Sequence, residues 1–356
     1  MNAIANDTRA RVQPAQQHQT HKLKWLLRRE FWEHKGGFFW APLITGAVFL
    51  LFTLLSGGTG QFMLSRNGAK VIDFEGRQIP LSQVDWNKLI AAASPQDLEQ
   101  YAQVVNGFTL LSGLWPLVVF GFVVFFYLLG SLYDERRDRS VLFWKSMPVS
   151  DGLTVTSKLL TALVVAPVTA ALIALAVMLA TGIVLSLFIA INGGNPFTIY
   201  WAHLEPLKLL GAVFGWLPVY ALWALPTAGW LMLCSAWARS KPFLWAVLLP
   251  ILAGVLVVWF GIFNGDGPQN DARGGWFWEH IVVRALTSAW PGSHVLGYVD
   301  TPYLDRLDDS PNALYGIDGV IGGLHLFATP SLWIGALAGA AMIYAAIRLR
   351  RWRGEA

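Results

Sequence analysis

Six long apolar runs, separated by polar stretches of very unequal length, organise the 356-residue chain. They lie at about 38–56, 108–132, 158–191, 209–236, 243–263 and 329–347. Each is close to or above the roughly 20 residues a helix needs to cross a hydrocarbon core. Inside lipid the backbone must satisfy its own hydrogen bonds, and runs of this length do so as helices. The pattern therefore predicts an all-α polytopic membrane protein with six transmembrane helices. The third run exceeds the bilayer need, which predicts a tilted helix or one that continues beyond the membrane. Pro167 predicts a kink in it, and Asn192-Gly193-Gly194-Asn195-Pro196 predicts its end.

The polar stretches carry their own signals. Residues 1–21 are rich in Gln, Asn and Ala, lack an apolar core, and read as a disordered tail rather than a signal peptide. In 22–37, Leu23, Leu27 and Phe31 recur at four-residue steps with Leu26 beside them. Lys22, Lys24, Arg28, Arg29, Glu33 and Lys35 take most other positions. This predicts an amphipathic interfacial helix, with Trp25 and Trp32 at headgroup level, before Gly36-Gly37 turns the chain inward. Two sizeable external loops are predicted, 57–107 and 264–328. In the first, Asn67-Gly68 marks a turn. Glu75-Gly76 between Val71-Ile72 and Gln78-Ile79 marks a small hairpin. Helix starts are read at Ser82 and at Ser94, the latter with Pro95 at its first position and Asp97 at its third. That helix is expected to run into the second span. The second loop is rich in Gly and Asp, and Trp276-Phe277-Trp278-Glu279-His280 begins an amphipathic segment there. Residues 348–356 form a basic tail.

Composition agrees with the pattern: mean hydropathy is +0.48 and only 13% of residues are charged, against about 25% for a soluble chain. The net charge of +4 is small, and its distribution is more informative. Of the 26 Lys and Arg residues, 18 fall with the two termini, the 133–158 loop and the 237–242 turn. Of the 22 acidic residues, 14 fall on the other side. The positive-inside rule then predicts cytoplasmic termini in a plasma (bacterial inner) membrane. No charge lies within the core of an assigned span, which argues against an ion or proton path. The single Cys234 excludes an intramolecular disulfide.

Catalytic signatures are missing from the chain. There is no GxxxxGK[ST] phosphate loop, no HExxH and no GxSxG, so no catalytic residue is assigned. No metal site is assigned either. His203 with Glu205 reads as a solvated loop pair. Asp300, Asp305, Asp308, Asp309 and Asp318 read as a solvated acidic loop without calcium-binding spacing. No nucleic-acid partner is indicated.

The densest signal lies between the second and third spans, YDERRDRSVLFWKSMPVSDGLTVTSK, from Tyr133 to Lys158. Six charged residues, Asp134 to Arg139, precede an apolar group, Val141 to Trp144, and then Met147-Pro148-Val149-Ser150. A charged loop this short must meet water or a protein, and its apolar middle argues for a protein. With Lys158 opening the next span, the loop resembles the first cytoplasmic loop of ABC type-2 transporter permeases. The six-span layout extends that resemblance over nearly the whole chain. It implies half of a transmembrane pair, completed by a second permease copy or homologue, and driven by a separate ABC ATPase subunit. ATP and Mg would belong to that subunit, and this chain would carry no cofactor. The implied coupling contacts are Glu135, Arg136, Arg137, Arg139, Phe143, Met147 and Pro148, with a smaller set at Trp237, Arg239 and Lys241. In this reading the 22–37 helix, through Leu23, Leu27, Arg28, Arg29 and Phe31, is an elbow helix that also touches the ATPase. Short external helices between the fifth and sixth spans would help close an outer gate. Uncharged aromatic and aliphatic spans point to export of a hydrophobic or amphiphilic substrate.

Plainer readings stand beside these. The charge run also serves as a topogenic signal, and the amphipathic helix as an ordinary anchor. A non-transport scaffold, or a receptor that binds a ligand through its external loops, would share the architecture. Trp216, Trp223, Trp230 and Trp237 recur at sevens and predict one slowly drifting stripe. Its outer members suit interfacial belts. Trp223 and Trp230 either face lipid, pack on a partner helix or line a substrate surface. Ser331, Gly335 and Gly339 predict a close helix approach, internal or between copies.

Overall fold

A computed structural model describes residues 22–66, 71–74, 77–80, 86–139, 149–263, 272–294 and 324–353. Among them the protein is all-α apart from one antiparallel hairpin, in which Val71–Phe74 pairs with Arg77–Pro80 and Ile72 faces Ile79. Six helices are long and apolar enough to cross a membrane: Gly36–Gly60, Pro95–Arg137, Asp151–Ile191, Pro206–Trp223, Pro242–Ile262 and Pro330–Trp352. They are spans 1 to 6 below. The chain is a multi-pass membrane protein.

Local chemistry accounts for the ends and breaks. Ser94 caps span 2: its hydroxyl accepts from Asp97 N at 3.2 Å, while the Asp97 carboxylate accepts from Ser94 N at 3.3 Å, a reciprocal capping box. Ser150 caps span 3 by accepting from Leu153 N. Within span 3 the helix widens into a π turn over Thr161–Val165. Pro167 follows directly; it has no N–H for the carbonyl of Leu163, and the wider turn absorbs the mismatch. Span 4 continues as Leu225–Trp237 but is not one straight helix. It comprises Pro206–Phe214, Leu217–Trp223 and Leu225–Trp237, with Pro218 and Pro226 each near the start of a new segment. The single Trp stripe expected for an unbroken helix is therefore divided.

Spans 1, 2 and 3 pack on one another, and spans 4 and 6 form a second close pair that meets the first through spans 2 and 4. At the crossing of spans 4 and 6, a methyl on Gly229 would overlap the Gly339 backbone, and one on Gly339 would overlap the Leu225 carbonyl. The core includes Phe38, Phe120, Val124, Leu128, Tyr220, Leu231 and Met232, with Ala162, Ala166 and Ala170 of span 3 letting neighbours approach. Outward faces are apolar, with Ile44, Leu51 and Phe52 on span 1 and Leu248, Leu252 and Trp259 on span 5 exposed. Such a surface is what lipid or another apolar helix covers.

Between spans 5 and 6 the segment 272–294 does not stay outside the bundle. A side-chain carbon on Gly254 of span 5 would meet Trp278 at 2.7 Å, and one on Gly121 of span 2 would meet Trp290 at 2.8 Å. Tyr220 Oη donates to Ala289 O at 2.8 Å and Thr227 Oγ1 to Arg284 O at 2.8 Å. The segment dips among spans 2, 4, 5 and 6.

Candidate functional site

The helix Lys22–Glu33, the two ends of the 133–158 loop and the end of span 6 converge at one end of the bundle. Two assemblies hold them.

The first is a joint between spans 2 and 4. Ser235 Oγ accepts from Leu132 N at 3.0 Å and Tyr133 N at 2.9 Å. The Arg136 guanidinium donates back to the carbonyls of Ser235 and Ala238. Carbonyls at a helix C-terminus lack helical partners and favour a cation. The two stretches predicted separately as coupling contacts, around 135 and around 237, are thus bonded to each other.

The second is a buried ionic network. Lys158 Nζ lies 3.0 Å from Glu30 Oε1 and 3.0 Å from Glu135 Oε1. Arg350 Nη1 lies 2.6 Å from Glu135 Oε2, and Arg350 Nε 3.0 Å from Asp151 Oδ1. Tyr127 Oη donates to Glu30 Oε2 at 3.0 Å. Glu30, Glu135, Lys158 and Arg350 are all buried. A buried charge is tolerated only when paired and hydrogen-bonded, and here each one is. The Glu135 carboxylate thus meets two cations, one at each oxygen. Glu135 lies near the start of the 133–158 loop and Asp151 in its second half, so Arg350 ties the two ends of the loop to span 6. Lys158 ties the same carboxylate to Glu30 of the Lys22–Glu33 helix.

The remaining predicted residues divide by exposure. Glu135 and Arg136 are turned inward. Arg137, Arg139, Arg239 and Lys241 are exposed, two on each of the stretches that Arg136 joins. Arg139 and Lys241 have φ of 55° and 48°, a left-handed conformation rare for residues with a side chain; it ends the preceding turn at each place. Trp237 is partly exposed and its ring meets Trp245 edge-on at 5.0 Å. Phe143, Met147 and Pro148 lie outside the described residues. On the Lys22–Glu33 helix, Leu23, Leu27, Arg29 and Phe31 are half-buried and Arg28 is exposed. The fully buried positions are Leu26 and Glu30.

Glu30, Asp151 and Arg350 were not among the predicted site residues. A sequence cue existed for Glu30: it shares a face with Leu26 and His34 at four-residue steps, so an acid sits where the apolar stripe should continue. A second cue is Lys158, a lone cation opening a long uncharged run. Nothing in the sequence pairs them, because the partners are over one hundred residues apart.

Span 4 and span 6 features resolve into internal contacts. Trp223 is buried with the Arg284 guanidinium 4.3 Å over its ring. Trp230 Nε1 donates to Ala246 O of span 5 at 2.8 Å. Trp216 is buried, edge-on to Tyr220 at 4.9 Å, not placed at an interface belt as expected. Ser331 accepts from Arg284, Gly335 makes room for that guanidinium, and Gly339 meets span 4. This face therefore serves internal packing. His203 packs edge-on against Tyr101 at 5.2 Å and Glu205 pairs with Lys208. Among the described residues no three metal-ligating side chains gather.

In comparisons with protein-family models, curated proteins and solved structures, nothing matches this chain.

Proposed function

We propose that the chain is the membrane-spanning permease subunit of an ATP-driven transporter of the ABC type-2 kind. In this reading a separate ATPase pushes on the 133–158 loop, and the chain moves a hydrophobic or amphiphilic substrate outward. The termini and the loop face the cytoplasm, and the membrane is the bacterial inner membrane. A second permease copy or homologue completes the path.

The observation that carries the reading is the tie of both loop ends to Arg350, with Lys158 extending it to the Lys22–Glu33 helix. A loop that merely marked topology would need no such anchorage. A loop that receives force needs its ends fixed to the elements that must move, and these are spans 2, 3 and 6. The exposed Arg137, Arg139, Arg239 and Lys241 are the cations offered to acidic groups on the ATPase.

The test is co-purification of the ATPase encoded or expressed with this chain. Reversing Arg137, Arg139, Arg239 and Lys241 to Glu should abolish ATPase capture while membrane insertion is retained. Undiminished capture, or labelling of a cysteine at position 139 only from outside the cell, would refute the coupling role.

A further inference from the structure

A cavity of about 590 Å³ lies between spans 4, 5 and 6 and the segment Trp276–Ala285. Its volume is in the range of small-molecule sites, roughly 300–1,000 Å³. The walls are almost wholly apolar. Ala253 of span 5 and Ala338 of span 6 line it, and Leu249, Ile281 and Ile334 are exposed on the bundle's outer surface. A hydrocarbon chain could enter from the side without crossing a polar barrier.

One cation lines this apolar space. Arg284 Nη1 donates to Ser331 Oγ at 2.8 Å, but among the described residues the buried Nε and Nη2 have no hydrogen-bond partner. No carboxylate among them pairs with it. The ring beneath it, Trp223, likewise has a buried Nε1–H with no acceptor among the described residues. Several N–H donors and a fixed positive charge therefore meet with one hydroxyl among them. Gly335 holds the guanidinium against span 6, since a methyl there would overlap it. Leaving a cation so poorly matched in an apolar place costs several kcal/mol unless an anion joins it. The contrast with Arg350, which has two carboxylates, shows that the fold supplies counter-charges elsewhere.

We propose that this cavity binds an anionic amphiphile. Its carboxylate or phosphate head would accept hydrogen bonds from Arg284, and its hydrocarbon chain would lie between spans 5 and 6 against Ala253 and Ala338. The inference stands apart from the transport reading, because binding needs no ATPase.

The test uses the full chain in nanodiscs of neutral phosphatidylcholine and a diazirine-bearing long-chain fatty acid as photoprobe. Crosslinks should map to peptides containing Ala253 or Ala338. Dodecanoate should compete, whereas dodecanol and inorganic phosphate should not. Arg284→Gln should lower labelling about tenfold or more, as expected for loss of charge-assisted hydrogen bonds. Ala338→Trp, which fills the cavity and keeps the guanidinium, should also remove the label. Should Arg284→Gln fail to incorporate into the membrane, Ala338→Trp decides. Labelling unchanged in the correctly inserted variants, competition by dodecanol equal to that by dodecanoate, or displacement by phosphate alone would each overturn the proposal.

Discussion

Span 6 carries its chemistry at two ends, and the two arginines found there are treated in opposite ways. Arg350, on span 6 itself, sits between Glu135 and Asp151, with Lys158 and Glu30 next in the chain of contacts. Arg284, brought to span 6 by the dipping segment, has a single serine hydroxyl and an aromatic face. Arg350 is buried, and so are Nε and Nη2 of Arg284. One guanidinium is neutralised by its own chain, whereas the other meets no carboxylate among the described residues. The difference separates a charge that holds a fold from a charge that awaits a ligand. A matched network is rigid and penalises removal of any member. An unmatched cation contributes little to the fold and gains when an anion arrives.

Four substitutions or conditions can break or sharpen this contrast. The largest effect is expected from Lys158→Met, which strands Glu30 and Glu135 together in a buried place. It should destabilise the chain by about 3–5 kcal/mol, measured by unfolding in mild detergent. Adding Glu30→Gln should recover part of the loss, and a loss near zero would mean the network is wet. Arg350→Met should cost less, about 2 kcal/mol, below the range for a fully buried pair. Lys158 still holds Glu135 in that variant, and Asp151 is already 25% exposed. The same variant frees both loop ends and should uncouple any ATPase that binds there, read as ATP hydrolysis without transport.

Glu135→Gln should cost less again, about 1–2 kcal/mol by the same unfolding measurement, because the amide oxygen still accepts from one of the two cations while Glu30 and Asp151 keep their pairings with them. The smallest loss is expected at the other end: Arg284→Met should cost no more than about 1 kcal/mol, the scale of the one hydrogen bond it gives up, and should gain stability where no anion is bound, because a poorly matched cation is removed with it. A loss as large as that of Lys158→Met would erase the distinction drawn between the two arginines.

Much of the architecture was legible from apolar periodicity. Run length is a direct consequence of bilayer thickness, so six membrane-crossing helices follow from counting. The Ser94-Pro95-Gln96-Asp97 cap and the hairpin at 71–80 were legible for a similar reason: each is set by residues within four positions of one another. The site was only partly legible. Glu135 and Arg136 were singled out as surface contacts, yet the structure turns them inward. Their partners, Arg350 and Ser235, lie far along the chain, and a charge carries no label saying whether it will be solvated or paired. Span 4 misled in another way. Its Trp residues keep the seven-residue step, but Pro218 and Pro226 interrupt the helix that would have aligned them.

By itself the sequence determined that this protein lives in a membrane as six helices, because burying an unsatisfied backbone in lipid is too costly for any other solution of that composition. Tertiary structure alone decided which charges face one another. Glu30, Glu135, Asp151, Lys158 and Arg350 come from four separate segments, and only the packing of spans 2, 3 and 6 with the Lys22–Glu33 helix brings them within hydrogen-bonding distance. The same is true of Arg284, assigned by sequence to a loop and carried by packing into an apolar cavity beside span 6. Electrostatic pairing depends on distances of a few ångströms, and those are set by how helices cross rather than by their order along the chain.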